Sequence, residues 1–159
     1  MSKKSLKIII IKAQIIASLF HAKSAYTETI SSNKFPVMIK ENEIFVEVAD
    51  SEEERKRGLM WRKKLNNNAG MLFVFKDSSI RYFWMKNTFI RLDMAFVDTN
   101  MVIKTIRTAA KTNDSTTIYS SFVPVQYVLE VNAGWFEQHN IEPGDTITFD
   151  KTLLMQETR

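Results

Sequence analysis

Val125-Gln126-Tyr127-Val128-Leu129-Glu130-Val131-Asn132 is the stretch on which the fold turns. Val125, Tyr127, Leu129 and Val131 share one face, Gln126 and Glu130 the other, and a period of two marks a β-strand. Glu43-Ile44-Phe45-Val46-Glu47-Val48-Ala49 repeats the pattern, with Ile44, Val46 and Val48 on one face. Between these segments lie short apolar runs: Met71 to Phe75, Arg81 to Met85, Met94 to Val97 and Met101 to Ile106. Asp98-Thr99-Asn100 separates the last two as a hairpin loop. Thr146 to Phe149 ends the series after Glu142-Pro143-Gly144-Asp145, where Pro and Gly stand as a type II turn requires.

Two short helices interrupt the strands. Ser51 with Glu54 forms a capping box, acids fill the first turn, Arg55 to Arg57 the last, and Gly58 follows as a stop. A second helix is predicted over Ala133 to His139, capped by Asn132, with Val131 and Phe136 spaced as a hydrophobic staple. Thr108 to Thr117 has no apolar period and reads as an exposed loop. Seven or eight short strands with two short helices predict a mainly β fold. The expected form is a compact antiparallel β-barrel or jelly-roll-like sandwich.

The 159 residues leave room for one ordinary domain, and 45% hydrophobic with 25% charged residues is a globular composition. The absence of Cys excludes disulfides, thiolate metal sites and a Cys nucleophile, and two His exclude a three-His zinc site. No cofactor or metal is implied. The formal charge of +4 is misleading until it is divided. Residues 1–24 carry five Lys and no acid; the rest has 17 basic (22 − 5) and 18 acidic residues. No bulk electrostatic case for nucleic acid remains.

The same 24 residues read as an export signal. Lys3, Lys4 and Lys7 precede the apolar stretch Ile8 to Phe20, and Ala22-Lys23-Ser24 supplies the small residues before a cut after Ser24. Lys12 interrupts the apolar stretch, and a membrane span needs ~20 apolar residues, so no stable transmembrane anchor is expected. The predicted organisation is a signal peptide at 1–24, a linker at 25–34, one β-rich domain at 35–152 and a tail at 153–159. The chain is expected to be exported, to the periplasm or beyond.

Several blocks resemble one family. They are Glu54-Arg55 with Gly58-Leu59-Met60, Arg62 and Leu65; Gly70-Met71-Leu72-Phe73 with Phe75; Phe83-Trp84-Met85-Lys86-Asn87-Thr88; Leu92-Asp93; and Tyr127-Val128-Leu129-Glu130 with Ala133-Gly134. From about Val46 to Phe149 the chain is similar to domain of unknown function family number 192. That resemblance implies a compact β-barrel or jelly-roll-like fold, commonly exported, with no established activity. Where the family usually reads Ile-Pro-Leu-Asp, this chain has Ile90-Arg91-Leu92-Asp93.

The densest polar and aromatic cluster is Phe83 to Asp93. Trp84 beside Lys86, Asn87 and Asp93 has the chemistry to stack on a sugar or small polar ligand and read its hydroxyls. Alternatively Trp84 fills the core, and Asn87 and Asp93 hold turns. Arg55 and Arg62, flanking Met60, suit either an anionic ligand or structural pairing with Asp93, Glu130 or Glu47. Asp93 with Glu130 or Glu47 is the carboxylate pair that a hydrolase would use. Met60, Met71 and Met85 with Trp84 are the soft ligands that Cu(I) would need. Ser120-Ser121 lacks the Gly pattern of a nucleophile elbow, and His139 has no evident partner. The reading adopted is an exported, non-catalytic binding or interaction module for a small polar ligand or envelope glycan. Its expected cleft holds Trp84, Lys86, Asn87 and Asp93, walled by Arg55, Met60 and Arg62.

Overall fold

The computed structural model describes residues 34–152; the predicted signal, the linker up to residue 33 and the tail lie outside them. Nine strands form in chain order. They are β1 (Phe35–Ile39), β2 (Asn42–Ala49), β3 (Ala69–Ser79), β4 (Tyr82–Phe83), β5 (Leu92–Val97), β6 (Ile103–Ala109), β7 (Tyr119–Ser120), β8 (Val125–Asn132) and β9 (Ile147–Thr148). Helix α1 (Glu52–Arg57) lies between β2 and β3, and α2 (Trp135–Gln138) between β8 and β9. Seven strands make one sheet in the order β6-β5-β8-β3-β2-β1-β9, and β4 pairs with β7 apart from it. A bridge between Val102 and Thr146, beside β6 and β9, brings the two edges of the large sheet together. The result is a curled, mainly β, barrel-like domain with two short helices, as the alternating patterns predict.

Most pairings are antiparallel. β2 and β3 instead run parallel, with Phe45 opposite Ala69 and Ala49 opposite Phe73. Parallel neighbours need a crossover, and α1 with the loop after it supplies one. The helix ends follow the sequence. Ser51 Oγ accepts the Glu54 N–H at 3.2 Å, and Glu54 Oε2 accepts the Ser51 N–H at 3.0 Å. Gly58 then turns the chain at φ 48°, a region that disfavours a side chain, and its N–H reaches Glu54 O at 2.7 Å.

Both faces of the sheet are buried. Inside the curl, all seven strands contribute to one core, among them Ile39, Ile44, Leu72, Val97, Ile103, Leu129 and Ile147, closed by Trp135 and Phe136 of α2. On the outer face Met71, Phe73, Met94, Phe96 and Val128 form a second core under Leu59, Met85 and Ile90. The face of β8 predicted to be polar is therefore covered. Val125 joins the outer core instead of lying with Tyr127, Leu129 and Val131, because the β3–β8 register shifts between Val74 and Ser79. That irregularity re-aims side chains along the strand.

The second helix departs from its predicted start. Gly134, not Asn132, precedes it, with no side-chain cap of its own. Asn132 donates instead to Leu65 O at 3.1 Å and Asn66 O at 3.0 Å, tying the loop after α1 to the end of β8.

Gly70 is where β3 and β8 lie closest: a Cβ there would stand 2.5 Å from the backbone oxygen of Glu130. A backbone atom in the central strands cannot swing aside. Gly70→Ala is expected to destabilise the domain by about 2 kcal/mol. Urea denaturation of the variant checks it; an unchanged midpoint contradicts the close approach.

Candidate functional site

The ladder decides which chemistry meets. In the central strands Asp93 is paired with Val131 and Met94 with Glu130. Neighbours along a strand point to opposite faces. Ala95 and Val97 fall in the inner core, so Asp93 points to the inner side, whereas Glu130 shares the outer face with Met71 and Met94. The two carboxylates are thus on opposite sides of the sheet and cannot act on one bond. Glu47 is on the outer face too, but Met71 pairs with both it and Glu130 and so stands between them, and Arg62 holds Glu47 in an ion pair. The hydrolytic pairs considered from the sequence are not assembled.

Asp93 is 3% exposed. Its Oδ2 accepts the N–H of Gly134 at 2.8 Å, fastening the start of α2 to β5. Its Oδ1 is buried with no hydrogen-bond partner among the described residues. A buried carboxylate oxygen without a donor is costly and rare. Asp93 lines a cleft of about 1140 Å³ with Thr108 of β6, Asn132, Glu137 of α2 and the loop residues Lys63 and Asn67. Arg91 lines the same cleft and accepts the Ala133 N–H on its backbone oxygen at 3.0 Å. A smaller hollow sharing Asn67 and Asn132 continues it towards Gln138 and His139.

The other predicted site residues lie elsewhere. Tyr82 and Trp84 point outward, 67% and 45% exposed, while Met85 is buried. Trp84 is therefore not core packing. Lys86 Nζ sits 5.1 Å from the Trp84 ring centroid, and Trp84, Lys86, Arg55 and Met60 line one recess of about 40 Å³, with Thr88 and Glu130. Asn87 is a turn residue at φ 55°: its carbonyl accepts the Trp61 N–H at 2.7 Å and its N–H reaches Asn113 Oδ1 at 3.1 Å. Arg55 donates to the backbone oxygens of Asp50 and Val74, so it braces the crossover and has no carboxylate partner among the described residues. The residues of the expected single cleft fall in two separate hollows, one around Asp93 and one around Trp84, and Arg62 lines neither.

The remaining candidates have structural duties. Met71 and Met85 are buried in the outer core, whereas Met60 lines the recess with Trp84. Among the described residues no group of three His, Asp or Glu is placed to hold a metal. Ser121 Oγ donates to Val123 O at 2.7 Å and accepts the Arg81 N–H at 3.0 Å, and Ser120 Oγ accepts the Phe122 N–H. His139 stacks on Trp135 with centroids 4.2 Å apart. No helix among the described residues is long and apolar enough to cross a membrane.

Residues 35–149 match the family described as DUF192, uncharacterized ACR. The chain belongs to the DUF192 family. Two solved structures share the fold of this DUF192 domain. One, from Sinorhizobium meliloti 1021 and provisionally described as a transcription regulator, is 35% identical with a TM-score of 0.70, over 76% of this chain and 97% of that one. The other, a protein of unknown function from Novosphingobium aromaticivorans DSM 12444, is 30% identical with a TM-score of 0.69, over 77% and 90% of the two chains. No curated protein gives a significant match.

Glu130 marks the outer site chemically. It is 4% exposed and has no ion-pair or hydrogen-bond partner among the described side chains, so burial alone pushes its carboxyl from 4.5 up to about 8. The folded domain keeps the proton across that window while the unfolded chain loses it. Folded stability contributed by this group is therefore complete below 4.5, falls as pH rises towards about 8, and levels off above. Glu54, Asp145 and Asp150 are held below their ordinary values by hydrogen bonds from Ser51, Glu142 and Thr152 respectively, so their effect lies on the acid side of the window. Urea midpoints compared between about pH 5 and about pH 8 are expected to decline, and Glu130→Gln to flatten the decline. An equal slope in both proteins would show that Glu130 ionises freely.

Proposed function

We propose that this DUF192 domain is an exported, non-catalytic binding module whose ligand, a hydroxyl-rich small molecule or glycan end, occupies the polar cleft around Asp93. The observation that carries the reading is Asp93 Oδ1, a buried acceptor with no donor in the lining of a cleft of about 1140 Å³. Turning a carboxylate about its terminal torsion is easy, since that torsion is soft. Such a turn offers Oδ1 to an incoming hydroxyl or amine. Asn67 and Thr108 in the same lining add amide and hydroxyl groups that both donate and accept, which suits a ligand with many hydroxyls. Lys63, Lys64 and Arg91 against Asp93 and Glu137 leave the lining with mixed charge, so a strongly charged ligand is not favoured.

The separation of Asp93 from Glu130 removes that pair as the two carboxylates a glycosidase would set about one bond. The Trp84 platform expected for the sugar is absent from this cleft. Recognition here rests on hydrogen bonds, with Leu65, Ile106 and Ile141 as its apolar surface.

Asp93→Asn is the discriminating variant. Its side-chain oxygen can still accept the Gly134 N–H, while an amide donor replaces the unpartnered acceptor Oδ1. Titration calorimetry of residues 25–159 with glucose, glucosamine and N-acetylglucosamine oligomers is expected to give saturable binding to at least one of them. The variant should weaken it tenfold or more, the effect of losing a hydrogen bond to a charged group. Absence of saturable binding, or equal affinity in a folded Asp93→Asn protein, overturns the proposal.

A further inference from the structure

The face opposite the Asp93 cleft carries a second site of different chemistry. Between α1 and β4 runs a groove of about 620 Å³, within the size range of small-molecule pockets. Its walls are aromatic: Phe73, Phe75, Tyr82, Phe83 and Trp84. Its polar groups are nearly all cationic, Arg55, Lys56 and Arg81, with Glu52 the one acid in the lining. Glu52 is already tied to Lys56 at 2.6 Å, and Arg81 pairs with Asp77 at 3.1 Å outside the lining. Arg55 donates only to backbone oxygens and makes no salt bridge among the described residues, although its charge also acts on Glu52.

The cations are arranged as well as present. Arg81 lies 3.9 Å and Arg55 5.2 Å from the centroid of the Phe75 ring. Stacking of this kind holds a guanidinium in place over the ring. Arg81 Nε is a buried donor with no acceptor among the described residues. The groove shares Arg55, Lys56, Phe73, Phe83 and Trp84 with the small recess that ends at Glu130. Glu130, nine-tenths buried and more, and without a partner among the described side chains, is a second polar group in that lining awaiting one.

We infer that this groove binds an anion with a flat apolar body, its carboxylate, sulfonate or phosphate group set on Arg55 and Arg81 and its body laid against Phe83 and Trp84. The two halves of the recognition are complementary in kind. A wholly apolar molecule leaves the arginines unpaired, and an inorganic anion leaves the aromatic wall exposed to water. Only a ligand with both parts meets both needs. The site is independent of the Asp93 cleft, with which its lining has no residue in common.

The probe pair is 8-anilinonaphthalene-1-sulfonate and its uncharged parent skeleton, N-phenyl-1-naphthylamine, titrated by fluorescence against residues 25–159. The sulfonate is expected to bind at one site per chain and at least tenfold more tightly than the neutral compound. Arg55→Gln with Arg81→Gln should erase that preference and leave neutral binding unchanged, with near-ultraviolet circular dichroism confirming the fold. Because Arg55 also braces the crossover, Trp84→Ala and Tyr82→Ala, both at exposed positions, are the companion variants; each should weaken both compounds about equally. Asp93→Asn should alter neither, which separates failure here from failure of the Asp93 reading. Equal affinity for the charged and neutral probes, or sulfonate binding unaffected in the folded arginine or Trp84 variants, overturns the inference.

Discussion

The central strands β3, β8 and β5 are buried on both faces, and the rest of the molecule is arranged around that constraint. A sheet with one wet face can present alternate residues to solvent, but here the outer side of β8 is roofed by Leu59, Met85 and Ile90. Any polar residue on these strands must then find a partner, stay neutral or remain unsatisfied. Asp93 takes one partner and leaves one oxygen free; Glu130 takes none and keeps its proton. The close approach of β3 to β8 leaves no room for a side chain at Gly70.

Separating the polar groups by sheet face also separates the two clefts. On one side are amides, hydroxyls and charges of both signs around Asp93. On the other are aromatic rings with cations at their edges. The curl of the sheet leaves each cleft a helix or crossover for a wall, α2 for the first and α1 for the second. This is a fold with two unlike surfaces, and Asp93 and Glu130, on opposite sides of the sheet, belong to different ones.

The strand pattern, the capping box and the hairpin at Asp98 were legible because each depends on neighbours within a few residues. Asp98 Oδ1 accepts the N–H groups of Asn100 and Val102, a local closure any Asp in such a loop can make. The candidate residues were legible as chemistry but not as a group. Trp84, Lys86, Arg55 and Met60 do meet; Asp93 was grouped with them because it lies nine residues from Trp84 in the chain. Strand parity, together with the turn at Asn87, sends it to the other face. Phe75 and Arg81 are visible in the sequence only as part of an apolar run and the start of a strand, and carry no site signal until the fold sets Arg81 over the Phe75 ring.

By itself the sequence determined the class of fold and most of its elements, because alternation and caps are properties of adjacent residues; β1 and β7 it did not mark. It also determined that thiolate metal chemistry is closed to this chain, since the residues for it are missing. Only the tertiary structure decided that β2 and β3 run parallel, that the second face of the sheet is dry, and that Asp93 and Glu130 never meet. Those outcomes depend on which strand lies beside which and on what covers them, and pairing between residues tens of positions apart leaves no local trace.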